Sequence, residues 1–199
     1  MFTGIVETIG IVTQVSKSAD CIHLTIKPEK KFSDLQLGDS VSINGVCLTV
    51  TELGDHFFLV TLVPETLRLT NLQYASEGMQ VNLERSLLAN SRLSGHYMQG
   101  HVDGMGDILS IEPDGKAALL VKISIPTFLA KYIVNKGYIG LDGMSITVIE
   151  ATPSWISVTF IPFTQQVTLV NQYQVGSQLN IEVDIVSKYV EKLLGVTVS

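Results

Sequence analysis

The segment Asn44-Gly45-Val46-Cys47-Leu48-Thr49-Val50 returns as Asp142-Gly143-Met144-Ser145-Ile146-Thr147-Val148, a constant offset of 98 residues. At the same offset Pro28, Glu52, Val60, Thr61, Pro64, Thr66 and Thr70 meet identical residues at 126, 150, 158, 159, 162, 164 and 168. Gly78, Asn82 and Glu84 likewise meet 176, 180 and 182. Chance supplies only about three or four such identities at average residue usage. The 199 residues are therefore two related units of about 100 each. A second echo, 96 residues apart, pairs Gly4-Ile5-Val6 with Gly100-His101-Val102. Positions the backbone depends on are kept (the Gly, the Thr and the closing Val). At 44/142 an amide becomes a carboxyl, and at 47/145 a thiol becomes a hydroxyl. A scaffold copied with its chemical positions altered points to a duplicated binding site.

Each unit reads as short strands. Gly4–Val15, Val41–Glu52, Phe57–Val63 and Val81–Glu84 are rich in Val, Ile, Thr and Phe, with turn residues at Gly38-Asp39, Asn44-Gly45 and Gly54-Asp55 between them. The second unit repeats the plan over Gly100–Ile111, Ala117–Ile125, Ile139–Glu150, Trp155–Phe160 and Leu179–Val183. Asn-Gly and Asp-Gly within apolar runs are hairpin signals, because they accept positive φ at little cost. Strands and turns at this spacing predict an all-β chain of two similar small closed barrels. A short helix is expected after Pro126, over Thr127–Val134, with a weaker counterpart at Pro28–Leu35. The polar stretch Ser86–Ser94 reads as a linker. The expected division is 1–94, 95–185 and a tail, 186–199, with no counterpart in the first unit. In that tail Val186, Tyr189, Val190 and Leu193 fall on one helical face. The face packs either on the chain's own barrels or on the same helix of other subunits.

Composition narrows the function classes. A net charge of −6 leaves no basic surplus to neutralise phosphates, which argues against nucleic acid as a partner. The longest apolar region, Ala117–Val134, is broken by Lys122, Pro126 and Lys131 and does not span a bilayer. The first residues lack the basic and apolar regions of a signal peptide. Cys21 and Cys47 are the only cysteines, so free thiols in a reducing cytoplasm are expected. No dinucleotide, P-loop or hydrolase-elbow motif is present.

Few residues are left to carry chemistry. Cys47 on its own is a small core residue, but its pairing with Ser145 places a small polar group at the same point of two pockets. Asp142 replaces Asn44 in the same way, at a turn where ligands can meet side chains. His96 and His101 lack the companions a metal site needs, so no metal is expected. His101 takes the place of Ile5, an ionisable group gained for one pocket only. His23 and His56 are expected to face solvent.

Several stretches together resemble the riboflavin synthase family over nearly the whole chain. They are Met1-Phe2-Thr3-Gly4-Ile5-Val6-Glu7, the Asn44–Val50 segment, Glu65-Thr66-Leu67-Arg68 and Gly95-His96-Tyr97-Met98-Gln99-Gly100-His101-Val102-Asp103. Lys136-Gly137-Tyr138-Ile139-Gly140-Leu141-Asp142-Gly143 and Asn180-Ile181-Glu182-Val183-Asp184 complete the series. Ser94 stands where the family often has Gly. The resemblance implies two six-stranded Greek-key barrels and a short C-terminal helix that holds a homotrimer. It implies dismutation of two molecules of 6,7-dimethyl-8-ribityllumazine by four-carbon transfer, giving riboflavin and 5-amino-6-(D-ribitylamino)uracil without metal or cofactor. It also implies an association with lumazine synthase.

By the same resemblance Ser145, Ile146 and Thr147 with Lys136 hold one ring. Beside them are expected Gly100, His101 and Val102, with Ile161, Pro162, Phe163, Thr164, Gln165 and Gln166. Cys47, Leu48 and Thr49 hold the other ring, with Gly4, Ile5 and Val6 and with Thr61, Leu62, Val63, Pro64, Glu65 and Thr66. Catalytic roles fall to His101 for proton transfer, Cys47 as nucleophile or polariser, and Asp142 and Ser145 as its polar counterparts. The paired site is expected between the first barrel of one subunit and the second of a neighbour. The rival is a non-catalytic lumazine or flavin antenna protein of the same fold, whose members lose polar residues in one half.

Overall fold

The computed structural model describes residues 1–18 and 20–195. Each half closes into an antiparallel six-stranded barrel. The first contains β1 (Thr8–Ser18), β2 (Cys21–Pro28), β3 (Ser40–Ile43), β4 (Val46–Leu53), β5 (Phe58–Leu62) and β6 (Gln80–Arg85). Their spatial order is 1-2-5-4-3-6. The second contains β7 (Gly104–Asp114), β8 (Ala118–Ser124), β9 (Tyr138–Leu141), β10 (Met144–Ala151), β11 (Trp155–Phe160) and β12 (Gln178–Val183). They repeat that order as 7-8-11-10-9-12. Consecutive strands that are not neighbours make both barrels Greek keys, and closure removes the free sheet edges. The expected architecture is the one found.

Local chemistry explains the elements. In β2 the side chains of Leu24 and Ile26 are buried while Thr25 and Lys27 alternate outward, a strand absent from the expectation and needed for the sixth stave. The runs expected over Val41–Glu52 and Ile139–Glu150 are hairpins. Each folds at a two-residue turn with both φ positive, Asn44 (47°) with Gly45 (79°) and Asp142 (43°) with Gly143 (80°). Register shifts at Val50/Glu52 and Val148/Glu150, and again at Val12/Gln14 and Ile108/Ser110, mark bulges at corresponding places in the two barrels. Such bulges supply the curvature that closure requires.

The helices differ more from expectation. Pro64–Leu69 (α1) and Pro162–Val167 (α2) each begin on a proline directly after β5 and β11. Thr127–Tyr132 is a 3₁₀ helix, shorter and tighter than expected. Pro28–Leu35 is not a helix. There the N–H groups of Glu29 and Lys30 donate to Ile9 O and Thr8 Oγ1, which keeps the chain extended along β1. Ile185–Leu194 (α3) is capped by the Asp184 carboxylate, which accepts from Val186 N, and ends at left-handed Gly195. Residues 196–199 of the expected tail helix lie outside the described residues. Among the described residues no helix is long and apolar enough to cross a membrane.

Each barrel has its own core. Leu24, Ile26, Ile43, Val60 and Leu83 are fully buried in the first, and Ile123, Ile139, Leu141, Val158 and Ile181 in the second. The barrels meet at the duplicated turns. A Cβ on Gly45 would lie 2.7 Å from Gly143 N, and one on Gly143 would lie 2.8 Å from Gly45 N. Only residues without side chains allow this approach. Around it Asn82 Nδ2 donates to Asp142 O (3.0 Å) and Asn180 Nδ2 donates to Asn44 O (2.8 Å), a pseudo-twofold pair.

Candidate active sites

The two leader segments, residues 1–6 and 96–102, pair with each other before they reach a barrel. Phe2 N donates to Met98 O at 2.8 Å and Met98 N returns to Phe2 O at 3.2 Å. Each leader then crosses to the barrel of the opposite half. Gly4 O accepts from Ser145 N in the second barrel, and Gly100 O accepts from Cys47 N in the first, both at 2.8 Å. Gly4 (φ 78°) and Gly100 (φ 76°) both occupy the left-handed region. A Cβ on either would lie 2.6 Å from Ser145 Cβ or Cys47 Cβ respectively. Val102 accordingly packs against the first core and Val6 against the second.

This crossing corrects the expected grouping. Cys47, Leu48, Thr49 and residues 61–66 belong with Gly100, His101 and Val102. Ser145, Ile146, Thr147, Lys136 and residues 161–166 belong with Gly4, Ile5 and Val6. Strand register completes each set, since Val50 opposite Val60 and Val148 opposite Val158 run the ends of β5 and β11 toward Cys47 and Ser145. Leu48 and Leu62 point into the first core, so a ligand meets them only through backbone. Ile5, Val63, Ile161 and Phe163 are exposed apolar side chains around the two sites. Thr49, Thr147, Pro64, Glu65, Pro162, Gln166, His101 and Lys136 are also exposed. Thr61, Thr66, Thr164 and Gln165 are half-buried, and Gln165 Nε2 is committed to Phe160 O and Ala117 O.

The polar groups are not equivalent. Ser145 Oγ lies 2.6 Å from His96 Nδ1, whereas no such partner is found for Cys47 among the described residues. His96 is buried and its ring stacks on Tyr138, centroids 5.2 Å apart. Its Nε2 has no hydrogen-bond partner among the described residues. Burial holds its imidazole below the usual histidine value, opposed by the nearby Asp184 carboxylate. His96 Nδ1 thus holds the Ser145 hydroxyl in place. In the sequence His96 stood out only within the Gly95–Asp103 stretch, and its contact with residue 145 depends on the leader crossing. His23, expected in solvent, is half-buried with Nδ1 2.9 Å from Thr61 Oγ1 and Nε2 2.8 Å from Ser18 Oγ. His56 is exposed beside Asp55.

Asp142 lies elsewhere than expected. It is 2% exposed, within the contact between barrels. Its Oδ1 accepts from Asn180 N (2.8 Å) and Asn71 Nδ2 (3.0 Å), and its Oδ2 accepts from Tyr173 Oη (2.8 Å). Burial pushes its carboxyl up to about 7 against these three donors. Its role is to join the barrels, because the turn that carries it is the turn on which they meet. A cavity of about 360 Å³ lies against the linker, lined by Glu7, Glu84, Arg85, Leu88 and Arg92. Neither Cys47, His101 nor Ser145 lines it; Ile5 is shared with the second site.

Comparison with known proteins agrees with this duplicated geometry. The lumazine binding domain is matched twice, over residues 3–86 and 99–184. The riboflavin synthase of Schizosaccharomyces pombe is 42% identical over 195 residues, covering 98% of this chain and 94% of that one. That of Bacillus subtilis is 39% identical over 98% of this chain and 90% of its own length. The crystal structure of LumP complexed with riboflavin superposes with a TM-score of 0.85 at 25% identity, over 92% of this chain and 100% of that one. With two matched domains and full-length relatives at this identity, the chain belongs to the riboflavin synthase family of lumazine-binding proteins.

Proposed function

We propose that this chain is a riboflavin synthase that dismutates two molecules of 6,7-dimethyl-8-ribityllumazine into riboflavin and 5-amino-6-(D-ribitylamino)uracil. The observation that carries the reading is a pair of sites cut from one template in one chain. A reaction between two copies of one molecule needs two pockets for the same ring. Exposed Ile5, Val63, Ile161 and Phe163 offer apolar walls for flat heterocycles. Holding two such rings face to face turns a bimolecular encounter into an internal step, worth much of the barrier.

The differences between the pockets divide the labour. One lumazine gives up a proton from its 7-methyl group, and the delocalised anion attacks the other ring. His101, exposed beside Cys47 and free of intramolecular partners among the described residues, is the proton-transfer group. Cys47 acts at C7 as nucleophile or polariser, and Ser145, oriented by His96, is its counterpart. Four carbons then leave the donor ring and complete the third ring of the acceptor.

The same proposal includes a homotrimer with its paired site between the first barrel of one subunit and the second of another. Val186, Tyr189, Val190 and Leu193 present a bare apolar stripe on α3, while Lys131 and Tyr132 bond Glu191 and Lys188 bonds Asp103 to fix the helix on the second barrel. A cytoplasmic location and an association with lumazine synthase rest on the family resemblance. The antenna reading is favoured by the superposition on LumP and opposed by the retention of Cys47, His101 and Ser145. Incubation with the lumazine separates the two. Riboflavin accumulating over many turnovers is the expected result; a shifted spectrum of bound ligand without product would establish the antenna reading.

A further inference from the structure

Outside the strands, each leader is held by carboxylates rather than by a ladder. Glu182 on β12, 4% exposed, accepts from Gln99 N through Oε1 (2.7 Å) and from Gly100 N through Oε2 (3.0 Å). Its duplicate Glu84 on β6, 5% exposed, accepts from Thr3 N (2.7 Å) and Thr3 Oγ1 (2.8 Å) through Oε1 and from Gly4 N (3.0 Å) through Oε2. A second acid pins the far end of each leader. Glu7 accepts from Arg85 N (2.8 Å), and Asp103 accepts from Val183 N (3.0 Å). Between the pins lie Gly4-Ile5-Val6 and Gly100-His101-Val102, the residues that complete the pockets.

We propose that Glu182 and Glu84 are positioning residues that act across the barrel boundary. Glu182, in the second barrel, fixes the strap that closes the first barrel's site at Cys47 and aims His101. Glu84, in the first barrel, fixes the strap that lies on Ser145. Each site is thus shaped by a side chain of the half it does not belong to. Hydrogen-bond supply accounts for a glutamate at both places. Ionised, as Glu182 is above about pH 7, a carboxylate accepts at both oxygens and so can hold two successive N–H groups. Glycine at positive φ, with no side chain to pack, keeps its place only through such bonds. An amide in the same position would present its NH₂ to one of the two donors and release it.

The inference deepens the riboflavin synthase reading, but its main test is independent of turnover. In the full-length protein, iodoacetamide labelling of Cys47 is followed by peptide mass spectrometry, with Cys21 of the same barrel as internal reference. Glu182→Gln should accelerate Cys47 labelling about fivefold or more and leave Cys21 unchanged, because Glu182 no longer holds Gln99 and Gly100 of the strap against Cys47. Glu84→Gln should leave Cys47 within about twofold of the parent. Glu182→Asp keeps the charge but falls short of both N–H groups, and should label like the Gln variant. Equal effects of the two Gln variants on Cys47, a parallel rise at Cys21, or no change in either Glu182 variant would overturn the proposal. Where lumazine turnover is assayed, Glu182→Gln should lower kcat about tenfold with KM changed less than about threefold. Lost turnover with unaltered labelling would count against the strap and leave the riboflavin synthase reading intact.

Discussion

At the scale of single residues, the duplication sorts polar groups by what surrounds them. Cys47 and Ser145 sit at one template position, yet only Ser145 is held by a histidine. If the thiol itself takes part, Cys47→Ser should lower turnover about tenfold or more while ligand affinity changes less than about threefold. Steady-state kinetics and fluorescence titration measure both, and unchanged kinetics would remove the thiol from the mechanism. Asp142 and Asn44 form the contrasting pair. Burial raises the carboxyls of Asp142 and Glu182 to about 7, in the second case with Asp103 adding to the rise and Lys188 opposing it. Below about pH 4 folded and unfolded chains both carry these protons. Between there and 7 the unfolded chain releases them while the fold retains them, so stability must fall as pH rises and level off above 7. Asn at 142 would keep the oxygen that accepts from Asn180 and Asn71 and would offer an N–H to the Tyr173 hydroxyl. Asp142→Asn should therefore flatten the fall and raise the unfolding midpoint at pH 8, as thermal melts across pH 4–9 would show.

Among the elements, α3 carries an apolar stripe that has no cover among the described residues. Leu193 is 85% exposed, and on the homotrimer reading it is buried between subunits. Leu193→Glu should then convert trimers to monomers and remove most turnover, with sedimentation velocity as the check; a trimer that survives would place the contact elsewhere. The stripe itself was readable from the spacing of Val186, Tyr189, Val190 and Leu193, because helical periodicity is local. The hairpin turns were readable for the same reason, and the paired barrels for a different one, since a duplication shows as identities at one offset along the whole chain. The strand at Cys21–Pro28 carried a plain alternation of Leu24 and Ile26 with Thr25 and Lys27, but His23 and Cys21 obscured it. The leader crossing was hidden at a deeper level. An offset of 96 residues aligns Gly4 with Gly100 but does not say to which barrel either belongs, since that depends on Phe2 pairing with Met98. Asp142 was misplaced for a related reason: its turn is a sound ligand position in one barrel and becomes an interior position only when the second copy of the turn lies against it.

The whole molecule behaves, on this geometry, as one unit rather than two barrels on a tether. Asn180 Oδ1 accepts from Asn71 N (2.7 Å) and Asn82 Oδ1 accepts from Leu169 N (3.0 Å), so each barrel satisfies buried N–H groups of the other. The leaders add the Phe2–Met98 pairing and the bonds to Cys47 and Ser145. Separating intact barrels would trade each of these bonds for one to water, at a net cost of about 0.5–1.5 kcal/mol apiece, and would expose the close contact at Gly45 and Gly143. That penalty should exceed what either barrel gains by surviving alone, so unfolding should be a single transition. The chain carries its own probes for this. Trp155, the sole tryptophan, reports on the second barrel, while Cys21 and Cys47 are the two thiols and both lie in the first. In a urea titration, tryptophan fluorescence and pulse alkylation should share one midpoint. Asn180→Ala should lower both readings together, because it breaks the contact from the second barrel's side and leaves the first barrel's donor unpaired. Separated midpoints, or a shift confined to the tryptophan signal, would show that the barrels stand independently and that the crossing shapes the sites without binding the halves into one cooperative fold.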